Sequence, residues 1–175
     1  MRKTTKIIWF GHRNQVGLRV IQRFKLTVMK KYFSLLIMTF VSIITNAQTS
    51  KLLMNDAKSY IGKIDDKAKM NVGFYSVFLD KDSPETYKVN GYSDVEGTKA
   101  DFSGTIIFNS EKTKNSKDES KIYDLKFSEK GTGKHNGIFS GELSIKESLD
   151  KNQLKFEGTW TNYGNTMKFP VYFNN

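Results

Sequence analysis

The chain has 175 residues, with 28 Lys and Arg, 18 Asp and Glu, two Pro and no Cys, a length that suits one domain. At 38% hydrophobic and 13% aromatic residues it is neither disordered nor collagen-like, and without cysteine it has no disulfide framework, thiolate zinc site, cysteine nucleophile or cysteine-linked lipid anchor. The net charge of +10 is unevenly placed. Nine basic and no acidic residues precede residue 48, including all four arginines, which leaves 19 Lys against 18 acids in the rest. A near-neutral body without arginine lacks the basic patch and the bidentate donors of a nucleic-acid binder, so no nucleic acid is expected as a partner.

In chain order, residues 1–28 are basic, acid-free and followed by a second methionine, Met29. They read as an upstream extension or an overlong n-region. From Met29 come Lys30 and Lys31, a 13-residue apolar run from Tyr32 to Ile44, and the small-residue site Thr45-Asn46-Ala47-Gln48. This is the pattern of a secretory signal peptide, 29–47, cut after Ala47. It resembles leaders of exported proteins from Gram-negative bacteria. The run is shorter than the roughly 20 apolar residues of a membrane span, so no stable membrane anchor is expected after cleavage and the product is secreted or periplasmic.

The body, 48–175, opens with Lys51 to Lys58, a short helix or an irregular lead-in. Alternation with period two then predicts eight strands, over 59–64, 69–79, 86–94, 100–109, 121–129, 137–146, 153–162 and 166–174. Tyr123, Leu125 and Phe127 alternate with Asp124 and Lys126; Leu154, Phe156, Gly158 and Trp160 alternate with Lys155, Glu157 and Thr159. The stretch Met70 to Leu79 is apolar on both faces and reads as deeply covered. Pro170 cannot donate to a ladder and belongs at an edge, a bulge or a closure point. Connections are short except 109–120, which holds no apolar side chain and reads as a mobile loop. Phe102-Ser103-Gly104, Phe139-Ser140-Gly141 and Phe156-Glu157-Gly158 repeat a Phe-x-Gly device that suits a strongly curved sheet. The expected fold is all-β, an eight-stranded antiparallel up-and-down barrel, with a sandwich as the alternative.

With these elements in view, the sequence resembles the calycin-type barrels, the lipocalin and avidin group. The resemblance rests on Phe156-Glu157-Gly158-Thr159-Trp160-Thr161-Asn162 and the Phe-x-Gly repeats. The run 59–174 also looks like small exported bacterial proteins of a lipocalin-like type, in which Gly91-Tyr92 and the strand Phe102 to Phe108 have counterparts. Two departures limit what it implies. Lipocalins carry Gly-x-Trp on the first strand, whereas here it lies on the seventh, and no arginine follows Arg23 to pack on the indole. Avidin-like biotin sites use several tryptophans, and only Trp160 follows residue 47. The resemblance implies an architecture and no particular ligand.

Catalytic machinery is missing from the pattern. His135 is the only histidine after residue 47 and reads as an exposed loop residue. Gly131-Thr132-Gly133-Lys134 lacks the spacing of a phosphate loop. Asp80-Lys81-Asp82-Ser83-Pro84-Glu85 has calcium-like acids but a proline at the fifth position. No Gly-x-Ser-x-Gly elbow occurs. No enzyme activity, metal or cofactor is therefore expected. The ligand-binding candidates are Phe102, Phe139, Phe156, Trp160 and Phe169, all predicted to face inward, either as packed core or as an apolar pocket at the barrel mouth. The leading expectation is an exported binding protein for a small apolar or amphipathic ligand. The alternative is a protein-interaction module, an inhibitor or accessory subunit with a packed barrel, whose protein partner would meet surface aromatics such as Tyr75, Tyr92, Tyr163 or Tyr172.

Overall fold

A computed structural model of the chain describes residues 32–33, 49–148 and 151–175. The expected upstream extension and signal peptide lie outside these residues except at Tyr32 and Phe33. Eight strands form a closed barrel in sequence order: β1 (Tyr60–Ile64), β2 (Ala68–Leu79), β3 (Thr86–Val95), β4 (Thr98–Phe108), β5 (Lys121–Glu129), β6 (Gly137–Lys146), β7 (Gln153–Asn162) and β8 (Lys168–Asn174). Every neighbouring pair is antiparallel, and β1 closes on β8 from Ile61 opposite Asn174 to Ile64 opposite Val171. That closure decides for the barrel over the sandwich.

Period-two burial fills the interior. Phe102 and Phe127 stack with centroids 4.5 Å apart, and Phe74 meets both edge-on. Phe156 stacks on Phe173 at 4.7 Å, and Tyr60 bridges Phe173 to Phe74. Gly141 and Gly158 face each other across β6 and β7. A Cβ on Gly141 would lie 2.5 Å from the Cα of Gly158, and one on Gly158 would lie 2.6 Å from the Phe156 ring. Two of the Phe-x-Gly repeats thus supply the paired glycines that let these strands approach.

Two local features depart from the sequence reading. The two-sided apolar character of β2 comes from a bulge, not from cover on both faces. Phe74 pairs with Gly91 and Ser76 with Asn90, leaving Tyr75 as the extra residue. The bulge switches the phase, so Met70, Val72 and Phe74 face inward before it, and Val77 and Leu79 after it. Tyr75 and Phe78 are left about half exposed on the outside. The segment 109–120 is not a bare loop: Ser110–Lys114 is helical, and the Asn109 side chain caps it by accepting from Lys112 N at 2.9 Å. Pro170 is at the closure point, as expected, just past the end of the β1–β8 ladder, where its carbonyl accepts from Asp65 N.

The lead-in closes one end of the barrel. Residues 49–53 are helical and a 3-10 turn follows at Asn55–Ala57. Leu53 is fully buried in the core. The Tyr60 hydroxyl on β1 donates to the carbonyls of Leu53 (2.9 Å) and Leu52 (3.2 Å), while Thr49 hydrogen-bonds the Tyr123 phenol on β5. The segment therefore spans from one side of the barrel to the other. Burial raises the pKa of the Tyr60 phenol well above the ordinary range, and that of Tyr123 to about 12.

Candidate functional site

The opposite end, where β1 turns into β2, β3 into β4, β5 into β6 and β7 into β8, is open. A cavity of about 780 Å³ lies there, in the size range of small-molecule sites. Its apolar wall is built by Phe139, Trp160 and Phe169, with Met167, Val95 and Ile64. Trp160 and Phe169 are stacked with centroids 6.0 Å apart. A second hollow of about 820 Å³, beside the lead-in, is walled by residues such as Lys51, Lys58, Asn152 and Asn174 and has no aromatic side chain in its lining. The barrel mouth is the candidate site.

Alternation on β5 carries Tyr123, Leu125 and Phe127 inward and continues to Glu129. Alternation on β3 likewise carries Tyr87, Val89 and Gly91 inward and continues to Ser93. The Glu129 carboxylate is consequently inside the barrel mouth, only 6% exposed. Its Oε1 accepts from the Ser93 hydroxyl at 2.6 Å. Its Oε2 accepts from Gly137 N at 2.9 Å and from the Trp160 indole N–H at 3.0 Å. A Cβ on Gly137 would lie 2.8 Å from the Trp160 ring, so this position requires glycine for the indole to lie where it does. One carboxylate thus joins β3, β6 and β7 and fixes the orientation of Trp160.

The loops of this end are also tied down. Asn162, buried at the end of β7, accepts from Thr166 N and Met167 N and donates to Lys134 O and Thr166 Oγ1. The Tyr163 hydroxyl donates to the Glu129 carbonyl. These bonds connect the β5–β6 loop with the β7–β8 turn. His135 is exposed on the rim. Lys67 is ion-paired with Asp65 at 3.0 Å. The Lys99 ammonium stands 3.9 Å from the centre of the Tyr92 ring, on the outer face.

Of the five aromatic candidates, the structure brings Phe139, Trp160 and Phe169 together at the mouth. It places Phe102 and Phe156 in the packed interior, each stacked on another phenylalanine. Glu129 and Ser93 escaped the sequence reading, although the alternation that predicts their strands also assigns them inward positions. The calcium-like acids form the β2–β3 turn instead. There Asp80 pairs with Lys88 at 2.8 Å, and the hydrogen bond from Lys88 holds its carboxyl below the usual range. Among the described residues no group of three or more His, Asp or Glu side chains is placed to hold a metal ion, and no helix is long and apolar enough to cross a membrane. No protein-family model, curated protein or solved structure matches the chain.

Proposed function

We propose that this chain is a binding protein with a lipocalin-like barrel that holds a small amphipathic molecule at its open mouth. One observation carries the reading: an aromatic wall of Phe139, Trp160 and Phe169 and a buried, hydrogen-bonded carboxylate share one cavity. The packed interior limits the ligand to the mouth, with its apolar part on the Trp160–Phe169 stack and its polar part at Glu129 or in solvent. Ordered aromatic walls with few polar groups are the common chemistry of such sites. Export, with residues 29–47 as a leader cut after Ala47, belongs to the same proposal and rests on the sequence pattern.

Native mass spectrometry on the protein purified without denaturation from the cell that makes it tests both parts. A mass above that of the polypeptide, lost on organic extraction, supports the binding reading. A polypeptide beginning at Gln48 supports the leader. A bare polypeptide that also fails to take up small amphiphiles opposes binding.

A second reading, a protein-interaction module, is favoured by the outer face of β2 and β3. Tyr75, 52% exposed, packs on Tyr92 at 5.5 Å and donates to Asp101 at 3.0 Å. Tyr75→Ala with Tyr92→Ala separates the two: loss of a co-purifying protein with ligand uptake unchanged supports the module.

A further inference from the structure

From the surroundings of Glu129 we infer that the polar end of the ligand is a cation, an ammonium group on a small amphiphile. This rests on the mouth being a binding site and adds the charge of what it binds.

The Glu129 carboxylate is more than nine-tenths buried, and burying a carboxylate without a counter-charge is unfavourable. All three of its partners are neutral donors. None of the ion pairs among the described residues includes it. The two lysines bordering the cavity are engaged elsewhere, Lys67 with Asp65 and Lys99 over the Tyr92 ring. If the only task at position 129 were to accept from Ser93, Gly137 and Trp160, a neutral amide oxygen could do most of it without the charge. A carboxylate offers about four acceptor positions, and the protein uses three, one on Oε1 and two on Oε2, at a residue that lines the cavity. The adjoining wall is aromatic, and ring faces attract ammonium ions. A buried anion with spare acceptor capacity next to indole and phenyl rings matches an organic cation and repels an organic anion. Of the remaining acids of the rim, Asp65 is paired with Lys67 and Glu96 adds a charge of the same sign.

The test is isothermal titration calorimetry of the full chain with three probes of equal chain length: octylammonium, 1-octanol and octanoate, each below its aggregation concentration. The inference predicts that octylammonium binds at least about tenfold more tightly than octanol, as expected for a desolvated charge pair, with octanoate weakest. In Glu129→Gln the preference for octylammonium over octanol disappears. Equal binding of octylammonium and octanol by the wild type, or strongest binding of octanoate, overturns the cation while the mouth reading stands. A preference that survives in a folded Glu129→Gln also overturns it, because the selectivity then comes from the rim. Binding of none of the three overturns the mouth reading itself. The wild-type series alone decides the sign of the charge if the variant does not fold.

Discussion

Replacing Glu129 by Ala removes the acceptor for three donors at once. Ser93 can turn to the Ala100 carbonyl, already 3.5 Å away. Gly137 N–H and the Trp160 indole N–H lose their partner. Each buried donor left unpaired costs about 1–3 kcal/mol. The mouth admits water, and loss of the carboxylate relieves its own desolvation, so the lower half of the range applies, a total of about 2 kcal/mol. For a domain of this size that corresponds to a melting temperature lower by roughly 6–10 °C. Glu129→Gln keeps one oxygen for the two N–H donors and should lose only about 1 kcal/mol. Thermal melts followed by circular dichroism, with urea titrations for the free energies, give both values. The Glu129→Ala and Trp160→Phe pair should show a coupling of about 1 kcal/mol, because the indole N–H and the carboxylate are one interaction. If Glu129→Ala melts with the wild type, or the coupling is below about 0.3 kcal/mol, the carboxylate does not organise the mouth and the reasoning fails.

Three further predictions concern the scaffold. Gly158→Val should cost about 3 kcal/mol or more, because even its first carbon would meet the Phe156 ring at 2.6 Å and Gly141 Cα at 2.8 Å; a cooperative melt like that of the wild type would show that β6 and β7 can separate to admit it. Burial on folding raises the pKa of Tyr60 and Tyr123, so their contribution is complete below pH 10 and is lost as pH rises through the folded-state values. Tyr60→Phe or Tyr123→Phe should therefore flatten the fall in urea midpoint between pH 10 and 12, and an unchanged slope in both variants would contradict the burial of these phenols. Asn109→Ala removes the cap on Ser110–Lys114 and the bond to Asp124 (2.8 Å). Its cost should be about 1 kcal/mol, and faster amide exchange at Lys112 should accompany it.

The strands were legible because each of the eight buries one face, which imposes a period of two that any reader of the chain can find. Their bounds in the structure fall within two residues of the sequence expectation at every end. The bulge at Tyr75 was not legible in the same way. A single inserted residue changes the phase of the pattern, and the two overlaid phases look like a strand covered on both sides. The helix at Ser110–Lys114 has no apolar face and is held by its Asn109 cap and by ion pairs from Lys112 to Asp124 and Glu142, so hydrophobic periodicity is silent there. The aromatic wall was legible as inward-facing residues, but depth along the barrel was not. Phe102 and Trp160 obey the same alternation, and only the closed sheet shows that one lies among other rings while the other reaches the mouth. Glu129 was not singled out, because alternation assigns a face and does not show that Ser93, Gly137 and Trp160 converge on one carboxylate.

The most direct test of the binding site is the assigned Trp160 indole N–H resonance during titration of the full chain with octylammonium. This signal and the Gly137 amide, which share Glu129, are expected to move together and saturate, with Leu53 at the closed end unmoved. Shifts confined to the lead-in or to the outer tyrosines, with the Trp160 indole unmoved, would contradict binding at the mouth.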